Sequence, residues 1–135
     1  MVTDDRGRSV DFDPEAALAA ARSAVDSRNI LTCVAYDTET FETVYVDDRV
    51  DEMYADVGAR EEHFGRIHSY VHLDFTERQL FEELFVEPDG VRAFVTYMGS
   101  TIAARVVANS QGIFFSLSPE TAVTQLVEAV EPTLR

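Results

Sequence analysis

Between Val91 and Ser118 the chain carries no aspartate or glutamate, although the whole of its 135 residues holds 25 acids. A run of that length in so acidic a chain is expected to be covered on one side and at least partly on the other. Its apolar residues recur with period two, the spacing of a strand. Val91, Ala93, Val95 and Tyr97 share one side, and beyond the turn at Met98-Gly99-Ser100-Thr101 they are joined by Ile102, Ala104, Val106 and Ala108, then Ile113, Phe115 and Leu117. That side is expected to face the core. The other side reads Arg92, Phe94, Thr96, Met98, Ala103, Arg105, Val107, Phe114 and Ser116, which is neither a solvent surface nor a second core. Gly99-Ser100 and Asn109-Ser110-Gln111-Gly112 supply turn residues, so the stretch is read as a three-stranded meander.

The rest of the chain is organised around it. Residues 1–12 are polar and expected to be flexible, with one domain over 13–135. Asp13-Pro14-Glu15 is a helix start, with a capping aspartate, proline at the first helical position and a carboxylate at the positive end of the dipole. The helix it opens extends to about Ser27, with an alanine-rich face suited to close packing on a sheet. Ile30–Tyr36 and Phe41–Val46 form a hairpin across Asp37-Thr38-Glu39-Thr40. Asp47-Asp48 caps a helix carrying Val50, Met53, Tyr54 and Val57, with Gly58 as its stop. A second helical stretch covers Ala59 to about Val71, although Gly65 inside it costs about 1 kcal/mol relative to alanine. Thr76-Glu77-Arg78-Gln79 reads as a capping box for a short helix bearing Leu80, Phe81, Leu84 and Phe85, ended by the turn Pro88-Asp89-Gly90. Ser118-Pro119-Glu120 then opens a last helix that Pro132 stops.

Strands grouped by hairpins rather than alternating with helices indicate an α+β fold with an antiparallel sheet of about five strands, a hairpin plus the meander, between N- and C-terminal helices and a helical middle segment. The order α-β-β-α-α-β-β-β-α resembles that of the roadblock and profilin-like domains, a likeness that by itself carries no activity.

Charge bounds the partners. The formal net charge is −14, and all eleven basic residues are arginine; there is no lysine. Such a charge repels itself in dilute buffer, whereas at molar salt the screening length falls to about 3 Å and the repulsion largely disappears. The acidic, lysine-free composition is that of a protein built for a salt-accumulating organism. It argues against nucleic acid or an anionic membrane as a direct partner. A single cysteine, Cys33, excludes an internal disulfide and any multi-cysteine metal site. Its place in the apolar run Ile30–Val34 makes it a buried, inert thiol. The polar N-terminus has no signal-peptide pattern and no apolar run is long enough for a membrane helix, so a cytoplasmic location is expected.

Three segments, Tyr45-Val46-Asp47-Asp48-Arg49-Val50, Leu84-Phe85 and Gly112-Ile113-Phe114-Phe115-Ser116-Leu117, together resemble a family of small proteins of halophilic archaea. Its members carry an acidic hairpin, a Tyr-Val-Arg-Asp-Asp segment opening a helix, a helix ending in Leu-Phe, and a meander before a final helix. Here the arginine follows the two aspartates instead of preceding them. The resemblance implies no activity, substrate or catalytic residue.

Candidate sites come from residue chemistry alone. His68 and His72 lie four apart, with Asp74 just beyond, and are the only pattern of metal-ligand types; His63 falls about 140° away from His68 on an ideal helix. Surface or partly packed histidines are the simpler reading, and no metal or cofactor is expected. Asp47-Asp48-Asp51-Glu52 lacks the spacing and glycine of a calcium loop and reads as a solvated helix start. No nucleophile elbow or phosphate-cradling glycine loop is present, so no catalytic residue is assigned. Arg92, Phe94, Met98, Arg105 and Phe114, on the second side of the meander, combine arginine, aromatic and methionine side chains, the composition of interface centres. The expectation is a non-enzymatic interaction or regulatory module, a homodimer or partner-binding protein that docks through this side. The alternative is a small-molecule sensor or minor enzyme with a pocket between the sheet and the helix over 59–71, lined by His68, His72 and Arg105.

Overall fold

A computed structural model describes residues 10–85 and 90–135. The period-two segments become five strands, β1 Ile30–Asp37, β2 Phe41–Val46, β3 Ala93–Tyr97, β4 Ile102–Ala108 and β5 Gln111–Leu117. They form one antiparallel sheet in the order β2-β1-β5-β4-β3. The hairpin and the meander therefore meet at the centre, where Cys33 pairs with Phe115 and Val34 with Phe114. The helices are α1 Pro14–Ala24, a single turn α2 Asp48–Asp51, α3 Val57–His68, α4 His72–Leu84 and α5 Val123–Val130.

One side of the sheet packs against α1 and α5. Ala17 and Ala21 of α1 are fully buried, and with only a methyl group to place they let the helix lie close to the strands. Leu126 and Val130 of α5 meet the same layer of Ile30, Ile113, Phe115 and Leu117, all of them inaccessible to solvent. Asp13 caps α1, its Oδ1 accepting from the amides of Glu15 and Ala16 at 3.0 and 3.4 Å, with Pro14 in the first turn. The core also takes in Val10 and Phe12, each 6% exposed, which the sequence reading places in a flexible N-terminus. Residues 1–9 lie outside the described residues.

Four local expectations are corrected. Gly58 does not end a helix; it is the second residue of α3, which Asp56 caps through the amide of Ala59 at 2.8 Å. Thr76 caps nothing, because α4 begins a full turn earlier and its hydroxyl donates back to the carbonyl of His72 at 3.0 Å. The last helix starts at Val123 rather than after Ser118, since the Thr121 hydroxyl donates to the carbonyl of Ser118 at 2.7 Å and closes a turn there first. Gly112 belongs to β5 and not to the turn, which is carried by Asn109 at φ 59°. Pro88 and Asp89 of the expected Pro-Asp-Gly turn lie outside the described residues, while Gly90 adopts φ 69°. Val95 and Tyr97 share the core side by parity, yet they are exposed because β3 is the edge strand.

Candidate functional site

The second side of the sheet is crossed by α3 and α4. Register places Arg105 opposite Phe94 on one neighbouring strand and opposite Phe114 on the other. Its guanidinium lies over the Phe94 ring, 5.2 Å from the centroid, a cation–π arrangement. A segment with no acid of its own must find a counter-charge elsewhere, and α4 supplies it. Asp74, in the first turn of α4, is 1% exposed. Arg105 Nη1 donates to its Oδ1, and the Tyr36 hydroxyl donates to its Oδ2 at 3.1 Å.

Tyr36 reaches Asp74 because Gly112 lies beneath it. A Cβ on Gly112 would stand 2.7 Å from the Tyr36 hydroxyl oxygen and 2.9 Å from the carbonyl oxygen of Val106. Only glycine leaves that path open. Burial pushes the Asp74 carboxyl upward from its ordinary value, with the Arg105 charge and the Tyr36 hydrogen bond pulling the other way. Burial likewise pushes the Tyr36 phenol up, and the Asp74 charge adds to it. Buried Cys33, on the core side, has its thiol pushed up by desolvation, in keeping with an unreactive sulfhydryl.

Between these layers lies a cavity of about 300 Å³. Val34, Ala103 and Phe114 contribute from the sheet, Phe41 from β2, and Phe64, Ile67 and His68 from α3, with Asp74 and Arg105 in its wall. The His68 Nε2 is 2.8 Å from the carbonyl of Asp37, and its ring packs against Phe41 at 5.5 Å. His72, by contrast, is exposed and lies along its own helix, its Nδ1 3.2 Å from the carbonyl of Ser69. His63 faces the Tyr54 hydroxyl at 2.6 Å. The three histidines thus face three different surroundings, and among the described residues no three acids, histidines or cysteines converge on a metal-sized space. In the Asp47–Glu52 run, Asp47 pairs with Arg49 at 2.8 Å and Asp51 with Arg60 at 2.9 Å.

Of the five candidate interface residues, Phe94, Arg105 and Phe114 are half-buried beneath the middle helices, so the chain's own elements cover much of that side. Met98 is 54% exposed at the cavity rim. Arg92 precedes β3 and is exposed. Two residues escaped the sequence reading in this role. The sequence pattern offers Asp74 only as a metal-ligand type and gives Tyr36 no role beyond the end of a strand. The signal for both was present, since Arg105 in an acid-free segment requires a partner, and Tyr36 shares parity with Val34 opposite the core residues Cys33 and Ala35.

The architecture now has a counterpart. A crystal structure of a Roadblock/LC7 domain from Streptomyces avermitilis matches 87% of this chain and 88% of its own, with a TM-score of 0.55 at 13% identity. The fold is that of a Roadblock/LC7 domain. No protein-family model matches the sequence. Curated relatives described as AAA ATPases forming ring-shaped complexes, from Bifidobacterium longum subsp. infantis and Bifidobacterium longum, are 31% identical over 120 residues. That match takes in 82% of this chain but spans only 23% of the relatives. At 13% identity the likeness to the Roadblock/LC7 structure is one of fold alone.

Proposed function

We propose that the chain is a non-enzymatic protein-interaction module of the cytoplasm of a salt-accumulating organism, self-associating through α4 and the free edge of β3. One observation carries the reading: large apolar side chains left exposed gather there. Leu80, Leu84 and Phe85 are 50–62% exposed along the end of α4, and Val95, Tyr97 and Met98 are 38–71% exposed on and just after β3. The end of α4 reaches β3 through Phe81, which stacks on Phe85 at 6.2 Å and lies 6.5 Å from Phe94; Met98 shares that side of β3, while Val95 and Tyr97 emerge on the other side of the same edge strand. Isolated exposed apolar residues need no explanation, but a linked cluster does.

A second copy fits this patch better than an unrelated partner. An antiparallel edge strand offers unpaired backbone groups that an identical strand related by a two-fold axis can pair, and the flanking helices then meet each other. The β3 part of the patch carries no acid, whereas Glu82 and Glu83 lie within its α4 part, so two chains of charge −14 meet there where salt screens their repulsion. The docking surface expected on the sheet's second side therefore moves to its edge, since the middle helices already cover that side. No helix among the described residues is long and apolar enough to cross a membrane.

Sedimentation equilibrium in molar KCl tests the reading. The wild-type chain is expected to be a dimer that dissociates as salt is lowered, with Leu84→Glu and Tyr97→Glu each monomeric at the same concentration. A wild-type chain that stays monomeric at every concentration and salt overturns it.

A further inference from the structure

The space between the sheet and the middle helices is a cleft half open to solvent rather than an interior void. At about 300 Å³ it falls at the small end of ligand pockets, roughly 300–1,000 Å³. Its floor is apolar, formed by Val34, Ala103 and Phe114, and its mouth opens between Tyr70 and Met98, which are 65% and 54% exposed. One cationic fork stands in this apolar lining. Arg105 uses Nη1 on Asp74 and, among the described residues, commits neither Nη2 nor Nε to a hydrogen bond. Its ring neighbour Phe94 holds the guanidinium plane in place.

The geometry points to a binding site for a small amphiphilic monocarboxylate, its hydrocarbon body on Val34, Ala103 and Phe114 and its carboxylate on the side of the Arg105 fork that Asp74 leaves open. A guanidinium presents five donors in a rigid plane and can serve two carboxylates at once. Asp74 neutralises the arginine in the empty site without consuming it. The adjoining strands β3, β4 and β5 contain no acid to repel the incoming charge. The body of the ligand gains by leaving water, and the fork selects the anion over a neutral molecule of the same length.

Octanoate and octanol, titrated calorimetrically into the full chain in molar KCl, are the test pair. Octanoate is expected to saturate at one site per chain and to bind more tightly than octanol by roughly tenfold or more, the worth of a hydrogen bond to a charged group. Ala103→Leu fills the floor and is expected to weaken both probes. The double variant Asp74→Asn/Arg105→Gln, which leaves neither ion buried alone, is expected to keep octanol and lose the preference for octanoate. Absence of saturable binding by either probe overturns the site. Equal affinity of the wild-type chain for both probes overturns the role of Arg105, whatever the variants do. Undiminished binding to a folded Ala103→Leu chain places the probe elsewhere and overturns the site as well. Met98 belongs both to the cavity rim and to the proposed dimer patch, so the titrations are repeated on the Leu84→Glu chain, where failure of the site is read apart from failure of the dimer.

Discussion

The two sides of the sheet are covered by helices of opposite character. On one side α1 buries Pro14, Ala17, Leu18 and Ala21, and α5 buries Val123, Leu126, Val127 and Val130. On the other side α3 buries no residue, and α4 buries only Asp74. The first layer is held by apolar contact over its whole length. The second is pinned at points: the Arg105–Asp74–Tyr36 cluster, Thr43 donating to Glu61 at 2.9 Å, and Arg78 donating to the carbonyl of Asn109 at 2.5 Å. A layer held at points leaves space between the pins, which is where the cavity lies, and leaves apolar side chains unburied, which is where a second copy is proposed to dock. Stability resides on one side and opportunity for binding on the other.

The largest test of that contrast is a pair of truncations. Phe115→Ala, in the fully buried layer, is expected to cost about 3–5 kcal/mol by chemical denaturation, the range for a core phenylalanine. Phe64→Ala, in α3 on the second side, is expected to cost less than about 2 kcal/mol, because the ring is only half-buried and lines a space already open. Equal losses would erase the distinction. Next comes Gly112→Ala, which drives a methyl group into the Tyr36 ring and the Val106 carbonyl; overpacking of this kind costs about 1–3 kcal/mol, read as a lower denaturation midpoint.

The Asp74 pin has a pH signature. Its carboxyl is raised in the folded chain, chiefly by burial, so the protonated form is the one folding favours. That contribution is fully present below the unfolded value near about 4 and is lost as pH rises through the elevated folded value. Thermal melts of wild-type and Asp74→Asn chains should therefore show the variant gaining on the wild type as pH rises. Arg105, which is partly exposed, can turn toward water when its partner is neutral. A variant that loses ground with rising pH would mean that the ion pair outweighs its desolvation. The carboxyls of Asp47 and Glu82 are lowered by hydrogen bonds from Arg49 and Arg78, giving stability lost as pH falls, and they cancel in this comparison. The smallest effect belongs to Leu84→Glu, whose exposed site predicts a change in monomer stability within about 0.5 kcal/mol even where sedimentation shows the dimer gone.

Local sequence determined the strands and their faces. Alternation needs only the pleat of the backbone, so Ile113, Phe115 and Leu117 could be separated from Phe114 and Ser116 without knowing what covers either side. The cap at Asp13 was legible for the same reason, since its bonding partners lie within three residues. In the middle of the chain the cap at Asp47 was legible, its Oδ1 accepting from the amide of Arg49, but the start of α4 was not: Thr76 has the right neighbours for a cap, yet α4 begins earlier, where Asp74 is drawn onto the sheet by Arg105 and Tyr36. Those three residues are brought together only when the hairpin, the middle helices and the meander close over one another, at separations of 31 and 38 positions. Tertiary structure alone decided that the second side would be only loosely covered, because whether a helix buries its apolar stripe depends on how closely it lies on the sheet, and α3 and α4 meet the sheet at separate polar contacts rather than along a continuous apolar face.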